Sequence, residues 1–226
     1  MSNNTLKVDY VGKIKNRQLY NIKQVRDSIN SKSMQLKICN FADNNNLNKK
    51  YVEQKIMNDY VFATHFAISP GRQSYHEEIA SEYIASIECI DKFIKLPSSG
   101  KGAKYISPFG ISIGEKSDGI MSKSIDFEIQ LGDNVIYVSH KYTKDDGGAQ
   151  DNQFNDIIWF IRESKALKKT TLKNENVFFL AIVDGPYYQR NNRIDKLRSE
   201  AENLIEVCTI EELEDLLISR FVNKLR

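Results

Sequence analysis

One short stretch of this 226-residue chain limits its fold more than any other. Residues 176–185 read NVFFLAIVDG, a continuous apolar run of strand length. A strand that is apolar on both faces lies inside a sheet that is covered on both sides. The run therefore predicts a buried strand in a layered α/β fold.

The apolar pattern of the preceding residues predicts further helices and strands. Apolar residues recur at spacings of three and four from Ile79 to Ile94, which predicts an amphipathic helix between Ser74 and Pro97. Strand-like alternation and a later helical pattern predict three strands and a second helix, at residues 105–114, 117–131, 135–143 and 149–167. The core order is then helix, three strands, helix and strand, a mixed α/β architecture.

The two ends of the chain differ from this core. The first seventy residues are rich in Asn and Lys, and the turn Ser69-Pro70-Gly71 is the expected boundary. We predict an N-terminal subdomain over residues 1–70, for DNA recognition or dimerisation, and a core with C-terminal helices over 71–226. In the last helix, Thr209 is the expected N-cap and Glu212 the N3 residue of a capping box.

Composition excludes some classes of protein and leaves the function open. The formal charge is +2, from 32 basic and 30 acidic residues, so net charge alone does not identify a DNA-binding protein. Basic segments that could contact phosphates occur at residues 6–18, 47–50, 98–104, 165–173 and 189–198. Three widely spaced cysteines favour a reducing, cytoplasmic setting, and no apolar stretch reaches the ~18 residues of a membrane span. We expect a soluble protein.

The two central strands carry the residues with chemical potential. Asp126 and Glu128 are two residues apart, so their carboxylates project from one face of a strand. After the tight turn at 132–134, Ser139 and Lys141 share a face of the returning strand. Two carboxylates beside a lysine suit Mg²⁺-assisted phosphoester cleavage. An ordinary pair of strands with a cross-strand ion pair is the alternative.

This arrangement resembles a known nuclease family. The segment SIDFEIQ, followed by VIYVSHKYTKDDGGAQDNQFNDIIWFI, looks like the core of the PD-(D/E)xK nucleases, and its second half is similar to type II restriction endonucleases. The resemblance covers roughly residues 74–185. It implies a restriction-endonuclease-like mixed sheet flanked by helices, with an N-terminal extension.

The resemblance also implies roles for individual residues. Asp126 corresponds to the first metal-binding aspartate and Lys141 to the catalytic lysine, while the backbone carbonyl of His140 would be a metal ligand. Ser139 stands where the family has an acid, and Glu128 is the first candidate to replace that acid. Glu78 is a candidate for an accessory helical acid, and the simpler alternative is a charge at a helix start. Gln150 and Gln153 are candidates for contacts near the scissile phosphate, and the simpler alternative is turn and cap chemistry.

A second alignment of the motif remains open. SDGIM resembles the start of the motif in some members, which makes Asp118 the first acid and Glu128 the second, with Gln130 in the lysine position. Lys141 would then contact a phosphate. We prefer the first alignment because Lys141 supplies the positive charge that Gln130 lacks. Glu128 belongs to the site in both.

The sequence therefore predicts a type II restriction endonuclease. The resemblance implies Mg²⁺-dependent hydrolysis of duplex DNA at a short sequence with 5′-phosphate products, and a homodimer if the site is palindromic. The alternatives are a repair or recombination nuclease of the same fold, and a DNA-binding module whose site has decayed.

Overall fold

The computed structural model of the chain describes residues 6–70, 74–107, 109–114, 122–144, 146, 148–170 and 176–222. The chain divides into two compact units. The first, called the helical unit below, comprises Asp9–Ile79. The second, called the sheet unit, comprises Met1–Val8 and Ala80–Arg226. Each unit is considered separately.

Short helices with polar caps form the helical unit. They are α1 (Tyr10–Asp27), α2 (Lys32–Asn44), α3 (Lys49–Asn58) and α4 (Tyr60–Thr64), and α5 (Tyr75–Ala85) begins in this unit. Side chains of Asp9, Ser31, Asn48 and Asp59 accept backbone hydrogen bonds at the starts of α1 to α4, where N–H groups otherwise lack partners. The core contains Ile22, Val25, Met34, Ile38, Ala42, Val52, Ile56, Ala63 and Phe66.

The sheet unit contains two β-sheets and the remaining helices. Its strands are β1 (Lys92–Lys95), β2 (Lys104–Ser107), β3 (Gly110–Ile113), β4 (Lys123–Ser124), β5 (Phe127–Leu131), β6 (Asn134–Tyr142), β7 (Val177–Asp184) and β8 (Glu206–Cys208). Its helices are α6 (Gly148–Thr170), α7 (Pro186–Gln189), α8 (Arg193–Ala201) and α9 (Ile210–Leu217), and a π-helical turn follows at Ile218–Val222.

The larger sheet is mixed. Its five strands lie in the order β1-β5-β6-β7-β8, with antiparallel pairing from β1 to β6 and parallel pairing from β6 to β8. The crossover between parallel β6 and β7 contains α6, because parallel neighbours require a long connection. The smaller sheet is antiparallel, in the order β3-β2-β4.

Strand β7 of the larger sheet is buried on both faces. Phe179, Ala181 and Val183 of β7 join apolar residues of α6 and α8 in one core cluster. The intervening residues Leu180 and Ile182 are also almost fully buried. The prediction of a strand buried on both faces is confirmed. The α/β class is therefore right, with a mixed sheet flanked by helices.

One predicted helix is too long. The helix expected between Ser74 and Pro97 ends at Ala85, and Lys92–Lys95 forms strand β1. Spacings of three and four continue through Ile94, but the backbone of this segment pairs with β5, starting where Asp91 N donates to Gln130 O at 3.1 Å. That pairing supplies β5 with hydrogen-bond partners along its otherwise open edge.

The strand expected at residues 105–114 is also different in the structure. It is a hairpin of β2 and β3 in the smaller sheet, not a strand of the larger one. The order of helix, three strands, helix and strand is present as α5, β1, β5, β6, α6 and β7, but β1 takes the place of the expected first strand. The region of 117–131 contains β4 and β5, with residues 115–121 outside the described part.

Two local predictions are confirmed. Leu131 pairs with Asn134, so β5 and β6 form a hairpin with a two-residue loop, in which Gly132 has a φ of 56°. Thr209 and Glu212 form the predicted capping box. In the part of the chain that the structure describes, no helix combines the length and apolarity needed to cross a membrane.

Candidate active site on the central hairpin

Asp126 is fixed by its backbone between two strands. Its N–H donates to the carbonyl of Val138 on β6, and its own carbonyl accepts from the N–H of Leu96 after β1, both at 2.9 Å. Asp126 directly precedes β5, so its place follows from the hairpin register. Its side chain is only 11% exposed. The carboxylate is therefore held in a defined position on the sheet.

Three donors from β6 converge on one oxygen of this carboxylate. The His140 N–H donates to Asp126 Oδ2 at 2.8 Å, and Ser139 Oγ and Lys141 Nζ lie 3.4 Å from the same atom. Among the residues that the structure describes, none donates to Asp126 Oδ1. The predicted proximity of Asp126, Ser139 and Lys141 is thus present in the structure, with one carboxylate oxygen left for another partner.

Glu128 has a different partner from the one expected. Its carboxylate forms an ion pair with Lys104 of β2, and Lys104 Nζ also lies 3.5 Å from the Tyr137 hydroxyl and 5.1 Å from the centre of that ring. Burial opposes the charged form of Lys104, but the hydrogen bond to Glu128 and the neighbouring Tyr137 outweigh it and raise the pKa of Lys104. The ammonium of Lys104 therefore balances the charge of Glu128.

The pair of Lys104 and Glu128 gives a testable contribution to stability. Their side chains are 19% and 17% exposed, so Lys104→Met leaves a largely buried carboxylate without its cation. We expect a loss of about 2 kcal/mol in the free energy of unfolding, measured by urea denaturation. The double variant Lys104→Met/Glu128→Gln should recover part of this loss, and purely additive losses would contradict the assigned pairing.

The His140 side chain is part of the core. It is 1% exposed, and its Nε2 lies 3.4 Å from Asp184 Oδ2. The other oxygen of Asp184 accepts a hydrogen bond from Ile210 N at 2.9 Å. These contacts tie the end of β6 to β7 and to the start of α9. The metal-ligand role of the His140 carbonyl stays a prediction.

The remaining predicted residues are outside this cluster or outside the described part. Asp118 lies in 115–121, which is not described, and nothing is described of the Gln150 side chain in the first turn of α6. Gln153 accepts a hydrogen bond from the Thr143 hydroxyl at 2.7 Å, which fits the cap-like alternative. Glu78 lies in the first turn of α5, within the helical unit. Its accessory role stays a prediction.

Sequence reasoning did not identify Tyr137, and it included Lys104 only in the basic segment 98–104. Tyr137 is two and four residues before Ser139 and Lys141, so period-two spacing places it on their face of β6. Lys104 comes from the smaller sheet, and no spacing in the sequence relates it to Glu128. Tyr137 could have been found from the strand pattern, and the pairing of Lys104 with Glu128 could not.

Mg²⁺ is the metal that the sequence resemblance implies, and the carboxylate oxygens that it prefers as ligands are present on this hairpin. No group of three or more His, Cys, Asp and Glu that could hold a metal ion occurs in the described part of the chain. Mg²⁺ commonly binds through one or two carboxylates, with water and substrate phosphates completing the shell. Asp126 Oδ1 and Glu128 would supply these carboxylates, provided that Glu128 exchanges its contact with Lys104.

Two of the basic segments in the sheet unit are compensated by acids. Within 165–173, Lys165 and Lys169 both pair with Glu202, at 2.9 and 3.4 Å. Within 189–198, Arg190 and Arg193 both pair with Asp146, and these two arginines lower the pKa of that carboxyl through hydrogen bonds. These segments are better explained as solvated ion-pair networks than as a phosphate-binding surface.

Comparisons with known proteins do not assign the chain to a family. No family model matches it, and no curated protein matches it. Among solved structures it is similar to protein VC1899 from Vibrio cholerae, with a TM-score of 0.39 and 10% sequence identity. The match covers 93% of this chain and 55% of that chain, so this chain spans about half the length of VC1899. A TM-score below 0.5 carries no information about the function of this chain.

Proposed function

We propose that the protein is a type II restriction endonuclease that hydrolyses phosphodiester bonds in duplex DNA at a short sequence, with Mg²⁺ as cofactor and 5′-phosphate products. The observation that carries this proposal is the 3.4 Å approach of Lys141 Nζ to Asp126 Oδ2. Both side chains are partly exposed, with Asp126 just before β5 and Lys141 near the end of β6. A lysine beside a fixed carboxylate can stabilise the negative charge that develops in phosphoester cleavage.

The topology supports a restriction-endonuclease-like interpretation of the fold. Three antiparallel strands, β1, β5 and β6, are followed by α6 and by the parallel strand β7. In the proposed assignment the aspartate precedes the second strand and the lysine lies near the end of the third. The fold alone does not specify a function, so the proposal depends mainly on the pair of Asp126 and Lys141.

Each side chain has a defined part in the proposed reaction. Asp126 and Glu128 would hold Mg²⁺, which would polarise the scissile phosphoryl group and stabilise its developing charge. The His140 N–H and the Ser139 hydroxyl donate to Asp126 Oδ2 and so hold its carboxylate in place. Lys141, 25% exposed, holds a water molecule or a phosphate oxygen and balances negative charge. Glu128 supplies the acid that Ser139 lacks.

The first test is cleavage of plasmid DNA by the purified chain. With Mg²⁺ we expect cuts at one short sequence and 5′-phosphate ends, identified by sequencing the ends, and no cuts with EDTA. Glu128→Gln should lower the cleavage rate by about 10²-fold if Glu128 replaces the missing acid, because a neutral amide is a weaker ligand for Mg²⁺. Unchanged cleavage by Glu128→Gln would place the missing ligand elsewhere, and preference for ends, nicks or junctions would favour a repair nuclease.

A non-catalytic DNA-binding protein is the second candidate. Ser139 at the position of an acid and the pairing of Glu128 with Lys104 favour it, because both reduce the number of carboxylates available to a metal ion. This candidate predicts DNA binding in EDTA and no cleavage after Mg²⁺ or Mn²⁺ is added. The plasmid experiment therefore separates the two functions.

A further inference from the structure

A groove crosses the surface of the helical unit. One cavity of about 370 Å³ is bordered by α1 and α2, and a neighbouring cavity of about 400 Å³ is bordered by α2 and the chain after α4. The two cavities share Lys37, Phe66 and Ile68, so they adjoin each other, and together they are called the α1–α2 groove below. Each cavity has the size of a small-molecule or nucleotide site.

The side chains around the α1–α2 groove combine positive charge, aromatic rings and amides. Its lining includes Arg17, Tyr20, Gln24, Lys37, Asn40 and His65. Among the described residues, no Asp or Glu lines it. Cations bind phosphates, aromatic rings stack on bases, and amides hydrogen-bond to base edges. The groove therefore has the chemical groups that nucleic acids require.

The charge distribution of the chain points the same way. The helical unit contains eleven Lys and Arg against seven Asp and Glu, a formal charge of +4, whereas the sheet unit contains 21 against 23, a formal charge of −2. Lys37 is exposed, and within residues 6–70 no carboxylate forms an ion pair with it. A polyanion is therefore attracted more strongly by the electrostatic field of the helical unit than by that of the sheet unit.

Arg17 is already ordered at the edge of the groove. Its guanidinium lies 5.7 Å from the ring centre of Tyr20 and 5.0 Å from that of Tyr75. Tyr20 is itself 53% exposed. A guanidinium held against aromatic rings loses less conformational freedom when it contacts a phosphate or a base.

We infer that the α1–α2 groove is the DNA-binding surface of the helical unit, in which Lys37 and Arg17 contact phosphates and Gln24 and Asn40 reach base edges. This inference rests on the proposed nuclease function for the choice of DNA as the polyanion. It assigns to the helical unit a contact separate from the Asp126 and Lys141 cluster.

The test compares two charge reversals in the full chain. Lys37→Glu lies in the groove, and Lys50→Glu makes the same change at an exposed lysine of α3 outside its lining. Binding to a labelled short duplex is measured in EDTA over a range of salt concentrations. We expect Lys37→Glu to weaken binding by at least about tenfold and to lower the salt slope by about 1, and Lys50→Glu to weaken it less than about threefold.

Several outcomes would overturn the inference. Equal weakening by both variants indicates diffuse attraction, and unchanged binding by Lys37→Glu removes the groove from the interface. If an RNA duplex binds more strongly than the DNA duplex and its binding depends on Lys37 in the same way, the ligand of the groove is RNA and not DNA. A change of molecular mass in solution for Lys37→Glu alone makes the groove a contact between protein copies.

Cleavage distinguishes this inference from the proposed function. If the chain binds DNA through Lys37 but does not cut it with Mg²⁺, the nuclease proposal fails and the groove is supported. If the chain cuts DNA and Lys37→Glu binds as the wild type does, the groove is overturned and the nuclease proposal stands.

Discussion

Replacing Lys141 by methionine is expected to lower the rate of Mg²⁺-dependent DNA cleavage by about 10²- to 10³-fold, the size of effect seen when one charge-stabilising group is removed from an active site. Methionine keeps the length of the side chain and removes its charge. Lys141 is partly exposed, so the fold should be little affected. Single-turnover cleavage of the identified site measures the rate, and binding in EDTA should change less than about threefold.

Two further variants make this prediction specific. Asp126→Asn keeps an oxygen that can accept from the His140 N–H, and it should lose a similar factor in rate because the negative charge is gone. Lys95→Met, at an exposed position of β1 in the same sheet, should cleave as the wild type does. Wild-type rates for Lys141→Met would show that Lys141 is not the catalytic lysine and would favour the alignment that begins at Asp118.

The second large effect is expected at Gly185, the residue that directly follows β7. Its φ and ψ are 97° and 163°, a conformation that is accessible almost only to glycine. A Cβ atom there would lie 2.3 Å from the carbonyl oxygen of Thr143, so the backbone after β6 would have to move. We expect Gly185→Ala to lower the free energy of unfolding by about 3 kcal/mol, from backbone strain and steric overlap together.

Gly114→Ala is the matched control for this prediction. Gly114 has a similar φ of 87°, but a Cβ atom there meets no atom of the described residues within 4 Å. The Gly114→Ala variant should therefore lose only about 1 kcal/mol in the free energy of unfolding, from backbone strain alone. Urea denaturation of both variants gives the comparison. Equal losses would contradict a close approach between Gly185 and Thr143, and with it the packing of the chain segments that follow β6 and β7.

Much of the candidate site follows from local sequence signals. A two-residue loop at Gly132 and Asp133 sets the register between β5 and β6, and period-two alternation then places Asp126 opposite Ser139. The position of Lys141 follows from the same alternation. The proximity of these three residues could therefore be predicted without knowledge of the rest of the fold.

The partner of Glu128 could not be predicted in this way. We expected Glu128 to share a strand face with Asp126 and to lie beside Lys141. Lys104 contacts Glu128 from the smaller sheet. The sequence pattern had predicted this region as a strand of the same sheet as Glu128. Whether Glu128 can serve a metal ion depends on this contact, and the contact depends on how two sheets pack.

By itself, the sequence determined the features that arise between near neighbours along the chain. These are the hairpin of β5 and β6, the buried strand Val177–Asp184 and the capping box of Thr209 and Glu212. Only the tertiary structure decided that Lys92–Lys95 is a strand and that Lys104 pairs with Glu128. The physical reason is that the local spacing of Lys92–Lys95 suits a helix as well as a strand, and the open edge of β5 selects the strand. Pairing across sheets leaves no periodic signal, because its partners are distant in sequence and are joined only by packing.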